Sequence, residues 1–184
     1  MEKRRGPELS ATPPPVHDAG AAAPLLDQNY LSGIAKRKPA FDELEPVLRD
    51  AVFAGVVAVA ESAAHRLESA ARPDLPLLEL LRELSGGRRL PDEPGAQERN
   101  VERRLVRFAQ RDFPGRVGRD SDRVDFEALA IALPRCRLVT CDAFMADVIR
   151  RAGLDRRFGC EIFSGRRQDV RALRDRLADL SNAR

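Results

Sequence analysis

Two aspartates stand where a predicted strand gives way to a predicted helix, and a third stands at the start of a predicted helix. Asp27 ends the apolar run Pro-Leu-Leu, and Asp142 follows the run Leu-Val-Thr-Cys. Asp125 opens a helix that leads back into this second strand. In parallel α/β sheets, ligands bind beyond the carboxyl ends of the strands, so these carboxylates are candidates for one shared ligand site. A carboxylate at a helix N-terminus is also a common helix cap, and both interpretations stay open for each of the three.

The elements that position these acids follow from the spacing of apolar residues and from the Pro and Gly residues between them. Short apolar runs predict strands at 24–27, 136–140 and 161–164, and a strand or buried loop at 55–60. Helical spacing begins at Tyr30 and predicts further helices at 41–53, 61–72, 75–84, 97–111, 125–133, 142–152 and 166–180. Turn-forming residues predict loops at 88–96 and 112–124.

This alternation of strands and helices predicts an α/β domain with a mostly parallel sheet. The chain has 184 residues, a length typical of one domain. Residues 1–23 are rich in Pro and small residues without apolar periodicity, so we predict a disordered tail there. The ordered domain is expected to extend over residues 24–184.

Composition excludes several classes of protein. The chain has no run of about 18 apolar residues, which argues against a transmembrane helix and a membrane partner. Its N-terminal residues lack the apolar segment of a secretory signal. Three cysteines, an odd and sparse set, favour a reducing cytoplasm. With two histidines and no paired-cysteine motif, the sequence has no zinc-binding pattern.

The net charge of +3 is too small to indicate a nucleic-acid partner, but its distribution is uneven. Residues 40–98 carry a net charge of −6, whereas residues 99–123 carry +4 and residues 150–176 carry +5. All basic residues except Lys3, Lys36 and Lys38 are arginine, which pairs with phosphate through a planar fork. This asymmetry is a weak indication of a polyanionic partner, and solvated helix faces explain it as well.

Three short motifs occur in a characteristic order. The segment 125–142, Asp-Phe-Glu-Ala-Leu-Ala-Ile-Ala-Leu-Pro-Arg-Cys-Arg-Leu-Val-Thr-Cys-Asp, joins an acid, a small-residue helix, a short strand and a second acid 17 residues later. Leu-Leu-Asp-Gln-Asn-Tyr at 25–30 supplies a leading aspartate. Ser-Ala-Ala-His-Arg-Leu-Glu at 62–68 supplies a helix with a glutamate. In this order and spacing, over about residues 24–181, the chain resembles a PIN-like domain, a family of metal-dependent ribonucleases.

The resemblance implies a three-layer α/β/α fold with a short, mostly parallel central sheet. It implies that Asp27, Glu68, Asp125 and Asp142 form an acidic cluster whose members are both catalytic residues and metal ligands. Because four ionised carboxylates repel one another, such a cluster needs a counter-charge, and Mg²⁺ or Mn²⁺ has the matching preference for oxygen. The implied reaction is hydrolysis of RNA phosphodiester bonds by a metal-activated water, without a covalent nucleophile.

The resemblance also implies partners. RNA is the expected substrate, and a toxin-type nuclease of this kind is held in check by an antitoxin-like protein; a homodimer is a further expectation. We predict that Asn29 and Thr140 contact substrate beside the acids, and that Arg103 and Arg107 contact phosphates from an arginine-rich helix. The alternatives are a helix cap for Asn29, an ordinary strand-end threonine for Thr140, and a solvated helix face for the arginines.

Several rival residues stay open. Glu61 competes with Glu68 for the second acid, and Asp122 competes with Asp125 for the third. Asp147 is either a fifth acid or a solvent-facing residue, and we favour the latter. His65 is expected on a helix face shared with both glutamates, where it either packs in the core or orients Glu68.

Two other classes of function compete with the nuclease. The first is a catalytically weak or inactive PIN-like module that binds RNA or protein, because a fold does not guarantee an activity. A complete set of four acids favours the enzyme over this module. The second is a small phosphatase-type enzyme with Asp27 as its nucleophile. Asp27-Gln28-Asn29 lacks the second acid expected there, and the chain has no Gly-rich phosphate loop.

Overall fold

The computed structural model of the protein describes residues 24–116 and 120–183. Within these ranges the chain forms three strands, β1 (Pro24–Leu25), β2 (Leu138–Cys141) and β3 (Glu161–Ser164). The same ranges contain nine helices: α1 (Gln28–Ala35), α2 (Pro39–Phe53), α3 (Ala63–Ala70), α4 (Leu77–Ser85), α5 (Ala96–Asp112), α6 (Asp120–Ala132), α7 (Ala143–Arg151), α8 (Leu154–Phe158) and α9 (Arg167–Asn182). The predicted tail at 1–23 lies outside the described residues.

The described strands form one parallel sheet in the order β1-β2-β3. Leu25 is paired with Val139, and Cys141 is paired with Ser164. On the other side of β1, an isolated parallel bridge joins Leu25 to Ala60. Because all these strands run in one direction, their carboxyl ends lie at the same edge of the sheet, and the residues that follow them meet there.

Helices cover both faces of the sheet, which gives three layers. Successive strand residues point to opposite faces: Leu25 and Val139 pack in one core cluster with buried residues of α5, α6, α7 and α8. Leu26 and Leu138 pack in a second cluster with α1, α2, α4 and α9. The predicted α/β fold, with helices flanking a short parallel sheet, is confirmed. No helix in the described residues is long and apolar enough to cross a bilayer.

The segment at 55–60, expected as a strand or a buried loop, is the loop, and two other elements differ from the expectations. Residues 56–60 are mostly buried but contribute only a single bridge to the sheet, so they form a core-lining loop rather than a strand. Helix α8 was not expected, because five residues between two glycines carry too little periodicity to predict a helix. Helix α6 begins at Asp120, inside the predicted loop at 112–124, so Asp125 lies in the second turn and does not open the helix.

The start of α3 also differs. Ser62 is the N-cap: its hydroxyl accepts a hydrogen bond from the His65 N–H, while the His65 ring accepts one from the Ser62 N–H. This reciprocal pair stops the helix at Ala63. Glu61 therefore precedes α3 and does not share its face with Glu68, contrary to the expected helix at 61–72.

Candidate active site

Four carboxylates line one cleft at the carboxyl edge of the sheet. The cleft has a volume of about 180 Å³. Asp27 and Asp142 enter it from the ends of β1 and β2, Glu68 from α3 and Asp125 from α6. Residues up to 115 positions apart in sequence, from 27 to 142, thus face a common space. Other residues of its wall are Gln28, Asn29, Ser62, His65 and Thr140.

Asp27 is held by two hydrogen bonds. Its backbone N–H donates to the hydroxyl of Thr140, with 2.6 Å between N and Oγ1. The amide of Asn29 donates to its carboxylate, with 2.8 Å between Nδ2 and Oδ2. Thr140 is buried in β2, so the first bond fixes the end of β1 against its neighbouring strand. Thr140 therefore positions Asp27, a role that its place at a strand end did not reveal.

Asn29 was expected to cap α1 or to contact substrate. The N-cap of α1 is Asp27, so the capping expectation for Asn29 is wrong. Asn29 is the second residue of α1, two positions after the cap, and its exposed amide donates a hydrogen bond back to the Asp27 carboxylate.

Asp142 caps a helix and lines the cleft at the same time. One carboxylate oxygen, Oδ1, accepts a hydrogen bond of 2.7 Å from the Met145 N–H at the start of α7. The other, Oδ2, lies 3.6 Å from a guanidinium nitrogen of Arg116. The guanidinium of Arg116 also stacks on the Phe144 ring, 4.6 Å from its centre. Capping and cleft-lining, posed as alternatives from the sequence, coexist in this residue.

The electrostatics of the cleft favour protonated carboxyls. Loss of hydration, followed by the charges of Glu68, Asp27 and Asp142, raises the pKa of Asp125 to about 7. Loss of hydration raises the pKa of Asp27 to about 6, and repulsion from Asp142 adds to this effect. The pKa of Glu68 is raised by the same two causes, with Asp27 as the repelling charge. The raised pKa values of Asp27, Glu68 and Asp125 indicate a negative electrostatic potential in the cleft.

No positive side chain among the described residues lining the cleft offsets this potential. The lining contains neither Lys nor Arg, and Arg116 reaches Asp142 from outside it. His65 is buried, and loss of hydration lowers its pKa to about 4, so it is neutral at pH 7. Its ring bonds the backbone of Ser62 and Leu26, which tethers α3 to the end of β1. This is the packing role considered for His65 from the sequence.

The rival acids lie elsewhere. Glu61 is buried, and its carboxylate oxygen lies 3.1 Å from Arg66 and 3.4 Å from Arg89. It does not line the cleft, whereas Glu68 does. Asp122 is also buried and outside the lining, but its charge contributes to the raised pKa of Asp125. Asp147 is half-buried on α7 and does not line the cleft.

The four residues predicted to contact substrate lie at two separate places in the structure. Thr140 and Asn29 line the cleft, whereas Arg103 and Arg107 do not. These two arginines lie along α5 with Arg99 and line a separate, open concavity of about 800 Å³. α5 packs on α6 and α7, so its arginine face belongs to the outer surface of one helical layer.

The donor set has the chemistry of a divalent-cation site, since hard cations such as Mg²⁺ and Mn²⁺ take carboxylate oxygens. A bound cation would also relieve the repulsion that raises these pKa values. Within residues 24–116 and 120–183, however, no three His, Cys, Asp or Glu side chains are already arranged to hold one ion. The four acids surround the cleft rather than converge on one point.

Comparison with known proteins gives no family assignment. No protein-family model matches the chain, and neither a curated protein nor a solved structure matches it. The functional argument therefore depends on the cleft itself and on the motifs in the sequence.

Proposed function

We propose that this chain is a PIN-like, metal-dependent ribonuclease that hydrolyses RNA phosphodiester bonds at the four-acid cleft. The observation that carries the proposal is the meeting of Asp27, Glu68, Asp125 and Asp142 in one space with no basic side chain in its described lining. Burying carboxylates together costs stability, as the raised pKa values of Asp27 and Asp125 indicate. Groups with strongly shifted pKa values in a cleft are typical of functional sites, so this cluster supports a function in which the carboxylates take part.

Asp27, Glu68, Asp125 and Asp142 would hold Mg²⁺ or Mn²⁺. When bound, such an ion activates water and neutralises charge that builds up on the phosphate in the transition state. The chain supplies the positioning: Thr140 and Asn29 orient Asp27, and the cap on α7 fixes Asp142. In the metal-free protein the pKa of Asp125 is raised to about 7, and a bound cation would favour its ionised, metal-binding form.

The cellular setting belongs to the same proposal. Cys136, Cys141 and Cys160 are buried and unpaired, which supports a reducing cytoplasm. RNA is the substrate. An antitoxin-like inhibitor and a homodimer belong to the toxin-type version of this nuclease.

Cleavage of a labelled single-stranded RNA tests the proposal. We expect cleavage with millimolar Mn²⁺, none with EDTA, and a loss of at least about 100-fold in Asp27→Asn and Asp142→Asn. Asp147→Asn is the matched control, because it removes a half-buried acid of α7 that does not line the cleft. Wild-type rates in both cleft variants would contradict the assignment of these acids.

A PIN-like module that binds RNA or protein without hydrolysis is the second candidate. The observation that favours it is that no three described side chains are already arranged around one ion. The two candidates differ in a thermal unfolding measurement. The nuclease is expected to gain melting temperature with Mn²⁺ in wild type but not in Asp142→Asn, because an ion that binds only the folded state stabilises it. The module is expected to show neither this shift nor cleavage.

A further inference from the structure

A second concavity, of about 440 Å³, opens beside the acidic cleft. The two share Asn29 and Asp142 as common wall residues. The second concavity differs in charge, because four cationic side chains line it. We call it the basic groove and define it by these residues: Lys36, Lys38, Arg72 and Arg166.

Helix α1 connects the cleft to the groove. Asn29, Ser32 and Lys36 lie three and four residues apart, so they share one face of the helix. Asn29 bonds the Asp27 carboxylate at one end of this face, and Lys36 caps the other end. At a rise of 1.5 Å per residue, the face is about 10 Å long.

The cations of the groove are largely uncompensated. Among the described residues, Lys36, Lys38 and Arg166 have no carboxylate within ion-pair distance, and Arg72 lies 3.6 Å from Asp74. The only acid in the groove lining is Asp142, at its border with the cleft. Two of the three lysines of the whole chain are therefore placed here, in solvent, without a partner in the described structure.

We propose that the basic groove binds the phosphodiester backbone of the RNA strand beside the bond held in the acidic cleft. This inference rests on the proposed function. The cleft is negative and repels phosphate, so a strand reaching it needs attraction from an adjoining positive surface. The lining offers no exposed aromatic platform, since Phe41 is 8% exposed at the groove. Binding is therefore to phosphate and sugar, with little dependence on base sequence.

Gly165 allows the charge of the groove to be reversed without removing any native contact. A Cβ built there meets no atom within 4 Å, and its backbone is not in the left-handed region. Gly165→Asp adds one negative charge to the lining, and Gly165→Asn is its matched neutral control. Binding of a fluorescein-labelled single-stranded RNA is measured in EDTA by anisotropy. We expect at least a threefold weaker affinity for Gly165→Asp than for Gly165→Asn, and equal affinities would overturn the inference.

Removing the cations gives the second test. We expect Lys36→Gln, Lys38→Gln and Arg166→Gln, combined, to lower the slope of log affinity against log salt by about 2, because each phosphate contact contributes about 0.7 for a single strand. The matched control replaces three exposed arginines elsewhere that have no ion pair in the described structure: Arg82, Arg88 and Arg156, each by Gln. An equal slope change in both triple variants would overturn the inference.

These experiments separate the groove from the nuclease. If RNA binding in EDTA depends on the groove residues but neither wild type nor any variant cleaves RNA, the inference about the groove holds and the proposed function fails. If Mn²⁺-dependent cleavage occurs but binding and KM are the same in the groove variants, the proposed function stands and the groove fails. Inorganic phosphate is the competitor that tests the ligand. Unlabelled RNA is the reference competitor, and its concentration is counted in phosphate groups. If free phosphate displaces the labelled RNA at the same concentration of phosphate groups, the groove binds single phosphates, and the inference that it binds an RNA strand is overturned.

Discussion

At the scale of single residues, the neutral side chain of Thr140 positions an acid of the cleft, Asp27. Its hydroxyl accepts the hydrogen bond from the Asp27 N–H, and both groups lie at strand ends that are adjacent in the sheet. Asp27 begins α1, so its N–H cannot be satisfied within that helix. The Thr140 hydroxyl thus gives the Asp27 N–H a hydrogen-bond acceptor, and the same bond holds Asp27 at the cleft.

Replacing Thr140 tests this role. Thr140→Val keeps the shape but leaves the Asp27 N–H without an acceptor, so we expect a loss of about 1–2 kcal/mol in the free energy of unfolding. Thr140→Ser keeps the hydroxyl and is expected to retain most of the Mn²⁺-dependent rise in melting temperature that Thr140→Val loses. Urea denaturation and thermal unfolding measure the two effects. Equal behaviour of Val and Ser would show that the hydroxyl does not position Asp27.

The acids show what single residues reveal in a sequence. Asp27 and Asp142 could be predicted because each directly follows an apolar run, and parallel strands bring such residues to one edge. Spacing alone left both Glu61 and Glu68 open and only the resemblance favoured Glu68, because the answer depends on where α3 begins. That boundary is set by the Ser62–His65 pair, and a start two residues later than expected leaves Glu61 outside the helix, in a buried ion pair.

At the scale of elements, the contact between α1 and α2 depends on a glycine. A Cβ at Gly33 would lie 2.6 Å from the Phe41 ring, which is closer than any real contact. The Phe41 ring also packs edge-on against Tyr30, with 5.2 Å between ring centres. The absence of a side chain at Gly33 therefore sets how closely α2 approaches α1, the helix that carries Asp27 at its start.

We expect Gly33→Ala to destabilise the protein by about 1–3 kcal/mol, because the added methyl group overpacks the interface with Phe41. The same change should cost less in a Phe41→Leu background, where the ring is absent. A double-mutant cycle from urea denaturation measures this coupling. Additive effects of the two substitutions would contradict the close approach.

Sequence periodicity predicted the long helices and missed features that depend on tertiary contact. Helix α6 was expected to start at Asp125, since the apolar pattern begins with Phe126, yet it starts at Asp120. The basic groove was not expected at all. Its cations come from the end of α1, from the residues after α3 and from the start of α9, and local spacing cannot show that Lys36 and Arg166 face one space.

At the scale of the whole molecule, the cleft couples stability to pH. In the metal-free protein, burial and neighbouring carboxylates raise the pKa of Asp27 to about 6 and that of Asp125 to about 7, above the ordinary aspartate value of about 3.9. Between these values the folded state binds more protons than the unfolded state, so the two residues destabilise the fold as pH rises. His65 acts in the opposite sense, because its folded pKa is lowered to about 4, and its stabilising effect is lost as pH falls.

The difference in free energy of unfolding between wild type and an acid variant separates the pH effect of the acids from that of His65, because both proteins contain His65. We expect Asp125→Asn to become more stable relative to wild type as pH rises from 4 to 8 in EDTA, most steeply about midway between the ordinary aspartate pKa of about 3.9 and the raised value of about 7. With Mn²⁺ at about 100 times its dissociation constant, we expect wild type to gain about 5–10 °C at pH 8 and less at pH 5, since protons compete with the ion. Asp147→Asn should follow wild type throughout. A pH-independent difference would contradict the shared electrostatics of the cleft.

The hydrogen bond between Asp27 and Thr140 joins residues 113 positions apart, and this separation has a consequence during protein synthesis. A ribosome that adds about 5–20 residues per second needs roughly 6 to 23 s to proceed from the first residue to the second. Throughout this interval the nascent chain lacks β2 and Asp142, so the acidic cleft does not exist. The cleft that gathers these acids can therefore form only after the ribosome has added Asp142, 115 residues after Asp27.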